Sequence, residues 1–326
     1  MPAQILGFLI ALAFLTLVSG CGTTHPESDR LPAEAIVLTD SLGRTVILPH
    51  RPERIISLAP ANTEILFAVG AGEQIVGVTQ YANYPDVAAE IAQVGGFSAN
   101  SISLETVVGL QPDVVFAEGD LHRTLIHRFE QLRIPVIAFD PATLEDVYEN
   151  IRIAGRVTEN QDRADQVVRN MQAAVAAVQA ARLEATPKVF YLAWDTPLMT
   201  AGRSSFISQL IVLAGGVNAF GDVEEAFPQV SEEAILQRNP DVIIAPQRDG
   251  DDNELERITA RANWRNLSAV QNGRIHFIDE DWISRPGPRL VSGLHAVADA
   301  IRNAAPATPS VAKPVVPAAA DRGESE

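Results

Sequence analysis

The segments SISLETVVGLQPDVVFA (101–117) and PQVSEEAILQRNPDVIIA (228–245) decide the fold, because they repeat one pattern. Each contains a short helical stretch, then Pro-Asp, then an apolar run, and four identical residues recur 128 positions apart. The alternative is that this pattern recurs by chance in an α/β protein, but the four matches favour an internal duplication. The matched pairs are Glu105 and Glu233, Pro112 and Pro240, Asp113 and Asp241, and Ala117 and Ala245.

Outside these segments the duplication continues in weaker form. AVGAGEQIVG (68–77) aligns with VLAGGVNAFG (212–221), so both halves contain the same elements in the same order. Short, wholly apolar strands alternating with helices are typical of a parallel sheet covered on both faces. We therefore predict an α/β protein with two Rossmann-like, doubly wound lobes. The predicted strands are 54–59, 74–79, 113–117 and 136–140 in the first half, and 188–193, 241–245 and 275–279 in the second.

A different pattern separates the halves. Thr143 and Asp146 have the spacing of a helix capping box. Thr158 is then predicted to cap a helix running to about Ala185 without Gly or Pro, about 40 Å long. A helix of this length would join the two lobes as a stiff connector. In the first lobe, we expect PANTEILFAVG (60–70) to form a helix capped by Asn62 or Thr63.

The N-terminal segment has the features of an export signal. The apolar run from Ile5 to Val18 is too short to span about 30 Å of hydrocarbon, and LVSGC (17–21) resembles a bacterial lipobox with Cys21 as the lipidated residue. The alternative is an ordinary cleaved signal with an incidental cysteine. The expected organisation is a lipoprotein signal peptide (1–20), a tether (21–33), an N-terminal lobe (34–142), connecting helices (143–185), a C-terminal lobe (186–302) and a disordered Pro/Ala-rich tail (303–326).

The composition excludes several functions. Forty-one acidic and 25 basic residues give a net charge of −16, which argues against nucleic-acid binding. A single cysteine rules out a disulfide framework and a cysteine-based zinc or iron–sulfur site. The chain has no nucleophile elbow, zinc-protease motif or phosphate-binding lysine loop. We therefore expect a protein that is not an enzyme and has no resident metal or cofactor.

The motifs resemble one transport family. SLAPANTEILFAVGAGEQIVGVTQYANYP (57–85), SLETVVGLQPDVVFA (103–117), FPQVSEEAIL (227–236) and EDWISRPGPRL (280–290) are similar to segments of the iron-siderophore/haem/cobalamin substrate-binding proteins, and most similar to the cobalamin binders. The resemblance covers roughly residues 36–301. It implies a class III periplasmic-binding-protein fold, with the ligand held in a cleft between two lobes joined by a long helix.

The resemblance also implies a ligand site. Aromatic side chains in the cleft suit a large flat macrocycle, because rigid rings bury much area at low entropic cost. For each aromatic the alternative is simple core packing. The chain departs from the family pattern in two ways: Phe97 and Phe227 stand where the cobalamin binders commonly have tryptophan, and Glu118 stands where an aromatic is expected. Trp194 would compensate from the other lobe. The implied ligand-binding residues are Tyr81, Phe97, Met199, Phe227, Asp281, Trp282 and Arg285.

Glu105 and Glu233 match the two lobe-top glutamates with which this family docks onto arginines of a permease dimer. One equivalent carboxylate on each lobe suits a two-fold symmetric partner. The alternative is that both are ordinary glutamates favoured by the dipole at a helix start.

The resulting hypothesis is an extracytoplasmic, lipid-anchored solute-binding protein that delivers cobalamin to an ABC importer. The expected partners are a permease dimer with its ATPase subunits and a corrinoid ligand. A monomer is expected, attached to the membrane by the lipid anchor only. A ferric-siderophore or haem binder is the alternative within the family, although anionic siderophore complexes favour arginine-lined clefts. Two hypotheses come from other classes of protein. A metal-cluster enzyme would need several cysteines, and this chain has one. A sensor or scaffold that keeps the fold but has lost its ligand would bind neither a corrinoid nor a ferric complex.

Overall fold

A computed structural model describes residues 32, 34–182, 184–248 and 253–302. The predicted signal peptide, Cys21, nearly all of the tether and the predicted tail lie outside these residues. The strands are β1 Ile36–Thr39, β2 Thr45–Leu48, β3 Ile55–Ser57, β4 Ile75–Val78, β5 Val114–Glu118, β6 Val136–Phe139, β7 Lys188–Asp195, β8 Leu198–Thr200, β9 Val217–Asn218, β10 Val242–Gln247 and β11 Ile275–Asp279. The α-helices are α1 Pro60–Ala68, α2 Leu104–Gly109, α3 Arg123–Gln131, α4 Leu144–Val157, α5 Gln161–Ala180, α6 Phe206–Leu213, α7 Glu232–Arg238, α8 Glu254–Ala260, α9 Ser268–Gln271, α10 Glu280–Ser284 and α11 Leu290–Arg302.

The two lobes contain sheets with the same strand order. In the N-terminal lobe the order is β4-β3-β5-β6, and every neighbouring pair is parallel. In the C-terminal lobe β9, β7, β10 and β11 take the same places and are also parallel, while β8 adds an antiparallel pair to the end of β7. The α/β fold with two lobes is therefore confirmed. A further antiparallel hairpin, β1-β2, precedes the first sheet.

The repeated Pro-Asp positions have the same structural role in both lobes. The Asp113 carboxylate accepts hydrogen bonds from the backbone N–H groups of Glu53 and Arg54 at 2.8 and 2.9 Å. The Asp241 carboxylate accepts one from the backbone N–H of Lys188 at 2.8 Å. Each aspartate therefore ties the start of its own strand to the start of the neighbouring one.

The connector between the lobes differs from the predicted single helix. The capping box at Thr143 and Asp146 is confirmed, but Thr158 does not begin a helix. Its hydroxyl donates to the carbonyl of Ala154 at 2.8 Å and closes α4. Glu159 then takes a left-handed conformation (φ 59°), so the chain turns before α5 starts. The 20 residues of α5 span about 30 Å rather than 40 Å.

The predicted cap of α1 was also wrong. The helix begins at Pro60, and Asn62 and Thr63 lie buried within it. Proline suits the first helical position, because its fixed φ is helical and its missing N–H would have no partner there. Asn62 instead donates to the carbonyl of Ala117 at 3.1 Å and so fixes the end of β5.

The connector joins the lobes through equivalent contacts at its two ends. Arg163, near the start of α5, donates to the carbonyl of Ala68 at the end of α1. Arg182, just beyond α5, donates to the carbonyls of Leu213 and Val212 at the end of α6. A single cluster of buried apolar side chains from both lobes packs around α1, α4, α5, α6 and α11. The lobes therefore share one core around these five helices, and each lobe has a separate core on the other face of its sheet.

Within the described ranges, the longest helices are too short or too polar to cross a bilayer.

Candidate ligand-binding cleft

The predicted site residues lie in segments that follow the carboxyl ends of the strands. Tyr81 comes after β4, Phe97 follows in the loop before α2, and Asp281 comes directly after β11. In open parallel sheets, ligands bind in the crevice just beyond the carboxyl ends of the strands. The fold thus places these predicted residues at the edge where a ligand would enter.

Several aromatic side chains at this edge are exposed. The exposed fraction is 49% for Tyr81, 42% for Phe97, 37% for Phe227 and 51% for Trp194. For these four, simple core packing is therefore not the explanation. Other aromatic rings, such as Trp264, are fully buried.

Phe97 is held in place by a buried histidine. The Nδ1 atom of His122 accepts a hydrogen bond from the backbone N–H of Glu118 at 3.0 Å, so Nε2 carries the proton and donates to the carbonyl of Phe97 at 2.8 Å. The two rings meet edge to face, with centroids 6.4 Å apart. Burial lowers the pKa of His122, although the bond to Phe97 opposes this effect. A neutral His122 thus fixes the Phe97 backbone beside Glu118.

Trp194 is the corresponding exposed ring of the C-terminal lobe. The Arg248 guanidinium lies 4.7 Å from the centroid of its ring and is itself held by Glu280 at 3.0 Å. The indole N–H donates to the carbonyl of Thr196. These contacts hold one face of the ring, so the position of Trp194 is defined although half of its surface is exposed.

Met199 and Phe227 lie close to Trp194. Met199 on β8 is the register partner of Trp194, and it forms a bridge with Gln229, two residues after Phe227. The structure therefore brings together the predicted contacts Met199 and Phe227 and the suggested compensating ring of Trp194. Trp194 was suggested only as a ring that would compensate for Glu118 from the other lobe, and it was not among the predicted ligand contacts.

A buried carboxylate connects the two lobes. Glu64 of α1 is 1% exposed and accepts hydrogen bonds from two arginines of the C-terminal lobe. Arg289 forms a bidentate pair with it at 2.6 and 2.9 Å, and Arg285 lies 3.2 Å away. Burial alone would lower the pKa of Arg289, but the hydrogen bond and charge of Glu64, together with Asp281, raise it. Sequence reasoning missed this cross-lobe pair.

Two predicted ligand contacts belong to the same network. Asp281 lies 2.6 Å from Arg285 and accepts a hydrogen bond from Asn83 at 3.1 Å. Arg285 also donates to the Asn83 side chain at 2.6 Å and to the carbonyl of Tyr81 at 3.3 Å. Asp281 and Arg285 therefore hold the loop after β4. A ligand could contact only those atoms of the two side chains that these hydrogen bonds leave exposed.

Trp282 is half-buried and its backbone is packed tightly. A side chain on Gly293 of α11 would come within 2.4 Å of the Trp282 carbonyl, so only glycine allows α10 and α11 to approach this closely. Its position thus depends on the packing of these two helices.

Glu118 and Asp140 form an acidic pair at neighbouring strand ends. Glu118 ends β5, and Asp140 follows Phe139, its register partner in β6. Burial and, to a smaller extent, the charge of Asp140 raise the pKa of Glu118 to about 7. Burial and the charge of Asp120 also raise the pKa of Asp140, although Arg123 opposes them. Two acids with raised pKa values therefore lie at the carboxyl ends of the strands of the N-terminal lobe, a surface that we call the N-terminal wall.

Glu105 and Glu233 occupy equivalent exposed positions. Each is the second residue of a short helix, and each helix is capped by a serine, Ser103 or Ser231, whose side chain accepts a backbone N–H. In the part of the chain that the structure describes, neither glutamate forms a salt bridge. Both carboxylates are available to a partner.

No group of three or more His, Cys, Asp or Glu side chains among the described residues could hold a metal ion. A cavity of about 580 Å³ in the C-terminal lobe, lined by Lys188, Arg203 and Arg238 among others, contains none of the predicted ligand contacts. Its arginines are paired with Glu224 and Asp222. We therefore place the candidate site at the strand ends rather than in this cavity.

Two duplicated lobes, a shared core and exposed aromatic rings near the carboxyl ends of the strands are the features of a two-lobed substrate-binding protein. The sequence matches the periplasmic binding protein family over residues 55–282. The chain belongs to this family, whose members serve transport rather than catalysis.

Relatives and solved structures support the same assignment. The "Cobalamin-binding protein" of Halobacterium salinarum is 30% identical over 289 residues, covering 86% of this chain and 77% of the relative. The "Uncharacterized ABC transporter substrate-binding lipoprotein YvrC" of Bacillus subtilis is 27% identical and covers 87% and 93%.

Among solved structures, the vitamin B12 binding protein BtuF of Vibrio cholerae has a TM-score of 0.69 at 29% identity, covering 78% of this chain and 98% of that one. The heme-binding protein RhuT from Roseiflexus has a TM-score of 0.65 at 27% identity, covering 76% and 98%. The predicted family membership is confirmed.

Proposed function

We propose that the protein captures cobalamin or a related corrinoid between its lobes and delivers it to an ABC permease. The exposed, anchored aromatic rings carry the proposal. Phe97 is fixed through His122 and Trp194 through Arg248, while Phe227 lies near Trp194. Pre-positioned flat rings bind a large planar ligand with little further loss of entropy. The cobalamin-binding relative supports the same ligand.

Haem or a ferric siderophore is the second candidate, supported by the heme-binding structure. The charges of the site make it the weaker candidate. Arg285 and Arg289 are neutralised by Glu64 and Asp281, and Arg248 pairs with Glu280. Arginines already paired in this way offer little to an anionic ligand.

The proposal includes attachment and docking. A lipid on Cys21 would keep the protein at the membrane, in line with the lipoprotein relative. A monomer would then approach the permease dimer and its ATPase subunits through Glu105 and Glu233. Charge-assisted contacts with arginines would set the orientation of the complex.

Substitution of the rings tests the ligand. We expect Phe97→Ala and Phe227→Ala each to weaken cyanocobalamin binding by about tenfold, because each removes stacking area worth about 1 kcal/mol or more. Leu132→Ala is the control, since Leu132 is 49% exposed after α3 and away from the cleft. Equilibrium dialysis with cyanocobalamin, haem and a ferric siderophore would measure the affinities. Tighter binding of haem or the siderophore than of cyanocobalamin would overturn the corrinoid proposal.

A further inference from the structure

Glu118 is the group on the N-terminal wall that the function described so far does not use. It ends β5, its backbone is fixed by His122, and the preceding carbonyl is fixed by Asn62. The same histidine holds Phe97. Glu118 and a proposed stacking ring are therefore held by the two nitrogens of one imidazole.

The Glu118 carboxyl lies within the electrostatic influence of Asp140. A side chain on Gly119 would come within 2.5 Å of Asp140, so the chain between the two acids passes close to the Asp140 side chain. The other charged or titratable groups around the pair are Asp120, His122 and Arg123, and the guanidinium of Arg123 is taken by Asp120. The wall at this point therefore carries an excess of acidic groups.

The strand order places Glu118 and Trp194 at matching offsets from a contact between the lobes. The segments that follow β4 and β11 meet where Asn83 bonds Asp281. β5 is the second strand from β4, and β7 is the second strand from β11. At about 4.8 Å per strand, Glu118 and Trp194 are each about 10 Å from that contact along their own sheets. A ligand of that width bound between the lobes beside this contact would reach both strand ends.

We propose that Glu118, supported by Asp140, selects ligands by the chemistry of their edge: it accepts hydrogen bonds from amide N–H groups and excludes ligands whose edge carries carboxylates. This inference rests on the proposed corrinoid function and narrows it. Corrinoids are edged with amides, whereas haem carries propionates. A carboxylate repels a second carboxylate in a low-dielectric cleft, while an amide can donate to it.

Two ligands that differ in their edge groups test the proposal. Dicyanocobinamide has primary amides where dicyanocobyrinic acid has carboxylates, and neither has the nucleotide loop. We expect the purified protein at pH 8 to prefer dicyanocobinamide, and Glu118→Gln to reduce this preference by about tenfold. Asp120→Asn is the matched control. It removes one negative charge two residues from Glu118, and the Asp120 side chain is 72% exposed.

The pH dependence of the native protein gives a second measurement that needs no variant. Ionisation of Glu118 between pH 6 and 8 should increase the preference for the amide ligand, because the pKa of Glu118 is about 7. The carboxylates of dicyanocobyrinic acid are ionised throughout this range. Glu118→Gln should flatten this dependence.

The outcomes separate the two proposals. If the native protein binds dicyanocobinamide but Glu118→Gln keeps the full preference, or Asp120→Asn loses as much, the role of Glu118 is overturned and the corrinoid function stands. Equal binding of both ligands by the native protein would also overturn it. If neither corrinoid binds, the proposed function fails and this inference fails with it.

Discussion

Glu64 is a buried carboxylate whose two cationic partners come from the other lobe. Removing its charge would leave Arg285 and Arg289 facing each other with only Asp281 to compensate. We expect Glu64→Gln to lower the free energy of unfolding by about 3 kcal/mol, because a buried ion pair that loses one partner leaves an uncompensated charge. Urea denaturation followed by circular dichroism would measure the change.

The control for this substitution is Glu145→Gln. Glu145 is 71% exposed and lies 3.4 Å from Arg152, so its loss should cost less than about 1 kcal/mol. Equal costs for Glu64→Gln and Glu145→Gln would show that the cross-lobe network adds little to stability.

The stability of the protein should depend on pH through Glu118. The pKa of its carboxyl is raised from 4.5 to about 7 in the folded protein, so the ionised form destabilises the fold above pH 7 and this cost disappears toward pH 4.5. The difference corresponds to at most about 3 kcal/mol. Glu118→Gln should therefore be more stable than the native protein at pH 8 and gain less or nothing at pH 5. A constant difference in the urea midpoint at the two pH values would contradict the raised pKa.

Single residues show where sequence reasoning reached its limit. Phe97 and Phe227 were proposed as ligand contacts from the motifs around them; both are exposed, and their contact with a ligand stays a prediction. Glu64 gave a weaker signal: a lone acid in the apolar helix PANTEILFA must find a buried partner. The identity of that partner could not be predicted, since Arg289 is 225 residues away and meets Glu64 only through the packing of the two lobes.

At the scale of elements, α5 connects the lobes through an arginine at each end. Arg163 and Arg182 donate to the last carbonyls of α1 and α6, which lack helical partners. We expect Arg163→Ala and Arg182→Ala each to cost about 1 kcal/mol, with additive effects because the two sites are about 30 Å apart. Thermal or urea unfolding of the single and double variants would measure this.

Arg169→Ala is the control on the same helix, since within the described part of the chain Arg169 donates only to the side chain of Gln166. A double variant that costs clearly more than the sum of the single ones would contradict independent capping and indicate that α5 detaches as a unit.

The elements themselves were predicted well where the pattern is local. The apolar strands and the capping box at Thr143 and Asp146 appear as expected. The connector was predicted wrongly, because Thr158 has the residue type of an N-cap but its hydroxyl donates to the carbonyl of Ala154, four residues earlier. A left-handed Glu159 is not visible in the sequence, since nothing about glutamate favours that conformation.

For the whole molecule, the duplication predicts a symmetric docking surface. We expect Glu105→Ala combined with Glu233→Ala to abolish uptake into cells and to leave ligand affinity unchanged, because both side chains are exposed in the first turns of equivalent short helices and neither is a proposed ligand contact. Transport of labelled cobalamin, together with binding to the purified protein, would measure the two effects.

The matched control is the double substitution Glu145→Ala and Glu149→Ala, which removes the same charge from α4, where both side chains are exposed. Normal uptake by the Glu105 and Glu233 double variant would contradict docking through these glutamates.

A titration of the purified protein with cyanocobalamin, followed by gel filtration, tests the corrinoid function itself. If the protein binds a corrinoid between its lobes, the red chromophore co-elutes with the protein at a ratio of one to one. Elution of all the chromophore as free ligand at saturating concentration would contradict the corrinoid function, while the family and the fold would stand.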